Sequence, residues 1–314
     1  MESNIKTIAT FNYEHGGRDE QGLVRLEPAV DHIAESVPDL DLLFLQEANG
    51  YQQDGGWLLY QFAELLRERL GGAWIAHAAL NNAIFFRSDL GRVVQAWHDD
   101  RDGFGLTQHT RPLRLRVDGL PVPMALSSVH WRYCSGTARE EQAANLGNLI
   151  ALPSIVAGDF NCLWPGEKEV KPNWRDLAPH VRYHKTNFEH GQWVTDLRAG
   201  WMSLRQGWVD FGAMAEDYTV TTNKDSDRAP CRIDRLMISP RLAAGIDPDS
   251  YKVHIPARPV SDHRIVSGRI DLARDGERFR APWWDGQNIE THVGGDDSGQ
   301  PNTYRGWLQP ATAA

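Results

Sequence analysis

The chain is poor in cysteine. Only Cys134, Cys162 and Cys231 occur in 314 residues, far apart and without a Cys-x-x-Cys pair, which argues against a disulfide framework or a thiolate zinc site. No run of about 18 apolar residues is available to span a bilayer. The start, Ile5-Lys6-Thr7-Ile8-Ala9-Thr10-Phe11 after a few polar residues, lacks the basic and apolar regions of a secretion signal, so a cytoplasmic location is expected. Positive charge is also in deficit: 33 Lys and Arg face 42 Asp and Glu, a net charge of -9. No global basic field draws this protein onto a polyanion, although a local basic groove is compatible with an acidic whole. Internal repeats are missing as well.

What is present is an ordinary globular composition, 41% hydrophobic and 24% charged, with length for one large domain or two small ones. Short apolar runs predict strands at Ile5 to Phe11, Leu42 to Leu45, Ala83 to Phe86, Met124 to Val129, Ser154 to Ala157, Ile233 to Ile238 and Arg264 to Ile270. Between them, amphipathic spacing predicts helices at Val24 to Val37, Trp57 to Leu70 and Ala138 to Leu152, the last with Thr137 as N-cap and Glu140 completing a capping box. The class is α/β. Strands buried on both faces in separate halves of the chain imply two packed sheets with helices outside them. Two stretches break the alternation: Leu163 to about Asn223, polar and rich in Trp and His, expected to overhang a site, and the segment after Asp271, read as a tryptophan-bearing arm (272–314) appended to a 1–271 unit.

The chemistry-bearing residues sit in five polar clusters, and all but the last directly follow an apolar run. They are Asn12 with Glu14, Gln46-Glu47, His130, Gly158-Asp159-Phe160-Asn161, and Ser261-Asp262-His263. Strands ending in polar side chains deliver them to the rim of a sheet, so distant segments can build one site. Carboxylates, amides and two histidines are the inventory for a hard divalent cation, a base for water, and donors to a phosphoryl group. Asn12 with Glu14, and Asp159 with Asn161, are two residues apart and share strand parity. A turn-capping Asx role would explain Asp159 or Asn161 alone, but not the pair.

With Arg232-Ile233-Asp234 added, the series Phe11-Asn12, Gln46-Glu47, Ser128-Val129-His130, Gly158-Asp159-Phe160-Asn161, Arg232-Ile233-Asp234 and Ser261-Asp262-His263 resembles the endonuclease/exonuclease/phosphatase superfamily. Each motif is short, but six in the family's order are specific. The resemblance implies the deoxyribonuclease I-like four-layer α/β sandwich, two packed mixed β-sheets flanked by helices, over about residues 5 to 270. It implies a Mg²⁺- or Mn²⁺-dependent phosphoester hydrolase. Glu47 would be the principal metal ligand, aided by Asn12, Glu14 and Asp262. Asp159 would act as base, with Asn161, His130 and His263 on the phosphate oxygens and Asp234 orienting His263. Histidine at position 130 resembles the branches of deoxyribonuclease I, the sphingomyelinases, deadenylases and inositol phosphatases rather than the abasic-site endonucleases. Where the family usually has Tyr after the Arg-Ile-Asp triplet, this chain has Arg235, a cation that could reach phosphate or simply lie on the surface.

Substrate is less legible. Arg132, Arg139, Lys168, Lys171, Arg175, Arg182 and Lys185, with Trp131, Trp164, Trp174 and Tyr183, provide cations and stacking surfaces for a nucleic acid strand. The same aromatics equally suit packing of the 163–223 segment. A small phosphoester or lipid headgroup under a lid is the alternative substrate, and a non-catalytic binding protein on the same fold is the remote one.

Overall fold

The computed structural model describes residues 4–18, 22, 24–79, 81–96, 112–118, 120, 122–223, 230–255, 260–274 and two short strands at 292–293 and 302–303. In chain order these form β1 (Ile5–Asn12), α1 (Glu27–Ser36), β2 (Leu42–Gln46), α2 (Trp57–Leu70), β3 (Trp74–Ala79), β4 (Asn82–Arg87), β5 (Arg92–Ala96), β6 (Leu113–Arg116) and β7 (Met124–His130). Next come α3 (Gly136–Leu146), β8 (Ser154–Asp159), α4 (Pro179–Lys185), β9 (Thr186–Glu189), β10 (Gln192–Thr195), α5 (Arg198–Arg205), β11 (Val209–Asp210) and α6 (Phe211–Met214). The described chain closes with β12 (Asp234–Ile238), α7 (Pro240–Ala243), β13 (Ile246–His254), β14 (Ile265–Asp271), β15 (His292–Val293) and β16 (Asn302–Thr303).

Two six-stranded sheets carry the fold, ordered β13-β14-β1-β2-β4-β3 and β11-β12-β8-β7-β6-β5. Both are mixed, and each has one parallel pair at its centre, β1 with β2 and β7 with β8. Alternation along each strand sorts side chains between layers. Ile8, Leu42, Phe44 and Ile84 meet Leu126, Ile155, Ala157 and Leu236 between the sheets. Ala9, Phe11, Leu43 and Phe85 point outward onto α1 and α2 through Ala29, Ile33, Phe62 and Leu66. On the far side Val129, Val156 and Met237 meet Ala143, Leu146 and Ala199 of α3 and α5. Helix, sheet, sheet, helix is thus a four-layer sandwich. Strands with two covered faces have no polar side to show, which is why they read as continuous apolar runs.

The seven expected strands are present within two residues at each end. β3, β5, β6, β9, β10, β11, β13, β15 and β16 escaped the reading, being short, edge, hairpin or bulged strands; β13 shifts register between Asp247 and Lys252. Helix α3 begins before the expected position and stops at Leu146. Its cap is Ser135, which accepts from the Ala138 amide at 3.1 Å, and not Thr137, which lies within the helix. The first helix starts at Glu27 rather than Val24, with Pro28 in its opening turn. The 163–223 segment does not merely overhang the sheets. It supplies outer-layer helix α5, the β9–β10 hairpin and the edge strand β11. Of the expected C-terminal arm, nearly all lies outside the described residues, within which β15 pairs with β16.

Candidate active site

The parallel pairs bring the site together. Parallel strands end on the same side, so β1 and β2 deliver Asn12 opposite Gln46, and β7 and β8 deliver His130 opposite Asp159. β12 runs antiparallel to β8 and begins there, setting Asp234 opposite Asp159. Face-to-face packing of the sheets closes the two rims on each other, pinned by a buried relay. In that relay Thr10 Oγ1 donates to Gln46 Oε1 (3.1 Å), Gln46 Nε2 to Ser128 Oγ (2.9 Å), and Ser128 Oγ to the Leu45 carbonyl (3.0 Å). Gln46 is thereby a brace between sheets. At Gly158 (φ +148°) a Cβ would stand 1.9 Å from the Val129 carbonyl oxygen, so only glycine lets β8 lie this close to β7.

Asp159, 1% exposed, is the hub. Its Oδ2 accepts from Asn12 Nδ2 (3.3 Å) and Asn161 Nδ2 (3.0 Å) and faces His130 Nε2 at 3.6 Å and His263 Nε2 at 3.8 Å. Asn12 Nδ2 also reaches Glu47 Oε1 at 3.3 Å, and His130 Nε2 lies 4.0 Å from the same oxygen. His263 Nδ1 bonds Asp234 Oδ2 at 2.8 Å, both side chains fully buried. The Ser261 hydroxyl ties the loop to β1 by donating to the Asn12 carbonyl (2.7 Å) and accepting from the His263 amide (3.1 Å). Glu47, Asn161 and His15 hold left-handed backbones, φ +56°, +50° and +55°. Asp54, His190 and Glu216 hold the same conformation, so it does not by itself mark the site.

Burial alone would depress the His263 imidazole. Asp234 in hydrogen-bond contact, with Asp159 and Asp262 nearby, outweighs it and holds the pKa up to about 10. Burial pulls the Asp234 carboxyl upward too, so the pair shares one proton. Three carboxylates, those of Asp234, Asp159 and Asp262, surround the imidazole.

Several expected residues are placed differently. Glu14 does not share a strand with Asn12: β1 ends at Asn12, and Glu14 opens a 3₁₀ turn, its carboxylate 40% exposed and 3.9 Å from His15. Arg139 is buried and donates to the carbonyls of Arg132, Tyr133 and His184 (3.0, 2.8 and 2.7 Å), so it clamps α3 to α4 rather than offering a substrate contact. Trp131 and Trp164 are 1% exposed and pack edge-on against Phe160, so neither is a stacking surface. Trp174 is buried as well. Arg132 is exposed, as is Tyr183. Arg235 neither reaches toward phosphate nor lies on the surface; it is fully buried with Arg232 against Glu169 and Asp210. Lys185, expected in a groove, is buried with its ammonium on Asn161. No sequence signal marks Lys185, since its place depends on where α4 docks.

A hard divalent cation fits this donor set. Glu47 sets a carboxylate oxygen beside Asn12, whose buried Oδ1 has no hydrogen-bond partner, and Asp262 adds a second carboxylate 3.8 Å from His263 Nε2. One nitrogen-containing set also converges: ligand atoms of Asp159, Asp234 and His263 lie within 4.8 Å of one another. The hydrogen bond within that set marks it as a proton-sharing pair next to a carboxylate.

No family model and no curated protein matches the chain. Among solved structures, similarity extends to an AP endonuclease from Archaeoglobus fulgidus (17% identity, 85% of this chain and 100% of that one, TM-score 0.57). It extends also to an endonuclease/exonuclease/phosphatase family protein from Leptotrichia buccalis (17%, 84% and 99%, TM-score 0.55) and to D. rerio TDP2 humanized by 14 mutations (16%, 85% and 99%, TM-score 0.53). The fold is that of endonuclease/exonuclease/phosphatase proteins, the deoxyribonuclease I-like sandwich. No helix among the described residues is long and apolar enough to cross a membrane.

Proposed function

We propose that this protein is a divalent-metal-dependent phosphodiesterase of the nuclease type. The observation that carries the reading is the convergence on Asp159 of Asn12, Asn161, His130 and His263, the last oriented by Asp234, at the meeting rims of both sheets. Glu47, Asn12 and Asp262 would hold Mg²⁺ or Mn²⁺, which when bound supplies Lewis-acid charge to the phosphate. Glu14 is left out of this set, being half-exposed on its turn.

Asp159 takes the proton of the attacking water as the water oxygen bonds phosphorus and the ester P–O bond opposite it breaks, the leaving oxygen departing to be protonated by solvent. The imidazolium of His263, His130 and the Asn161 amide donate to phosphate oxygens, where charge develops. Both N–H groups of Asn161 are committed, to Asp159 Oδ2 and the Trp131 carbonyl (3.0 Å each), so a phosphate oxygen displaces one of them. Residues 1–271 form the catalytic unit, since β14, the last strand of the large sheets, ends at Asp271. Position 130 argues for a histidine-type branch, and AP endonuclease among the similar structures speaks to fold rather than to branch.

DNA or RNA is the favoured substrate class. Tyr183 and Phe188 are exposed and Arg182 lies over the Trp193 ring at 5.0 Å, a stacking and cationic surface on the 163–223 segment, and Arg132 is exposed just past the end of β7. A small phosphoester is the second reading, favoured by the net charge of -9 and by the burial of Trp131, Trp164 and Arg139, which removes them from contact with a substrate strand. The test is hydrolysis of single- and double-stranded DNA, RNA, a generic phosphodiester, inositol phosphates and sphingomyelin, with EDTA and with added Mg²⁺ or Mn²⁺. Metal-dependent polymer cleavage that is lost in Asp159→Ala and His263→Ala is expected. Full activity in either folded variant removes the mechanism, and turnover of small esters alone moves the substrate to the second reading.

A further inference from the structure

One buried cation enters the site from outside its motifs. Lys185 ends α4 within the 163–223 segment and is 8% exposed. Its Nζ donates to the Asn161 carbonyl (2.6 Å) and to Asn161 Oδ1 (2.9 Å) and lies over the Tyr133 ring at 4.6 Å. These contacts occupy the ammonium, so it does not itself meet a substrate. They do define Asn161. With Oδ1 held by a cation, Nδ2 must point at Asp159 Oδ2 and the Trp131 carbonyl; the flipped amide would set oxygen against oxygen at both. The bond to the main-chain carbonyl also braces the left-handed backbone of Asn161.

We propose that Lys185 is a positioning residue for phosphodiester hydrolysis, which locks the Asn161 side-chain amide in its donating orientation and couples docking of the 163–223 segment to completion of the site. This rests on the reading of Asn161 as a phosphate donor. A core ammonium is costly unless partnered, and aliphatic packing would have docked α4 without it.

The groups facing Lys185 are Arg139 on α3, Asp159 at the end of β8, Cys162 just beyond it, Cys231 ahead of β12, and the Tyr133 ring. Burial, reinforced by Arg139 and opposed by Asp159 and the two thiols, lowers its pKa to about 8. The lock therefore exists below about pH 8 and fades above it.

The experiment compares wild type with Lys185→Met and Lys185→Gln, following kcat and KM on a phosphodiester from pH 6 to 10 and the side-chain amide NMR resonances of Asn161 over the same range. Expected are a kcat lower by about tenfold or more in Lys185→Met with little change in KM, a smaller loss in Lys185→Gln, which keeps a donor, and an Asn161 amide titration near pH 8 in wild type that vanishes in both variants. Unchanged kcat in Lys185→Met, or a loss confined to KM, overturns the proposal. Should Lys185→Met fail to fold, the Gln variant and the wild-type NMR titration decide. Should wild type hydrolyse none of the substrates, the functional reading fails while the NMR titration still establishes or refutes the lock.

Discussion

Replacing Asp210 by Asn tests how the 163–223 segment is held against the sheets. Asp210 accepts from Arg232 Nη1 (3.1 Å) and Nη2 (2.6 Å) and from Arg235, while Glu169 binds both arginines from the other side. All four side chains are at most 3% exposed. Two cations and two anions balance, so Asp210→Asn leaves two buried guanidinium groups against one carboxylate. Breaking a buried pair in this way costs about 3–5 kcal/mol. At roughly 2–4 °C per kcal/mol for a chain of this size, the melting temperature should fall by roughly 6–20 °C. Thermal and urea unfolding provide the assay, with the exposed Lys168–Glu216 pair, 2.8 Å apart, as control: Glu216→Gln should leave the midpoint unchanged. The pH dependence carries a sign. Burial would raise the Asp210 carboxyl, but Arg232 and Arg235 hold it well below its ordinary value. Its contribution is therefore complete above an unfolded-state pKa of 3.8 and is lost as pH falls below that, and the Asn variant should lack this acid-side loss. A midpoint shift under about 2 °C would refute the argument, because four desolvated charges cannot be that insensitive to losing one.

Two further outcomes follow from the site and the core. Glu47→Gln should weaken Mn²⁺ binding by about tenfold or more, read by calorimetry without substrate, since an amide replaces the charged oxygen beside Asn12; unchanged affinity would remove Glu47 from the ligand set. Trp131→Ala should cost about 3–5 kcal/mol of stability, because a fully packed indole leaves a cavity against Phe160; a variant of wild-type stability with weakened substrate binding would return Trp131 to the surface role expected from sequence.

Residues that end strands were legible because two local properties coincide at them. An apolar run long enough to be buried, followed at once by an amide, carboxylate or imidazole, marks a rim, and this held for Asn12, Glu47, His130 and Asp159. Parity failed where the strand did: Glu14 is two residues beyond Asn12, but the backbone has already turned. Residues at the start of the final strand were legible only through the motif.

The sequence by itself determined the class, the alternation of buried strands with amphipathic helices, and the identity and order of the rim residues, because these depend on side-chain type and on periods of two and 3.6 along the chain. Tertiary structure decided which partner each charge meets. Arg139, Lys185, Trp131, Trp164 and Arg235 carry the same local signature as surface cations and aromatics, and only the docking of α3, α4 and the 163–223 segment buries them. The pairing of Asp210 with Arg232 and Arg235 joins residues 22 and 25 apart, and that of Lys185 with Asn161 residues 24 apart. Such contacts have no period to read, since electrostatic partnership in a low-dielectric interior depends on distance in space and not along the chain.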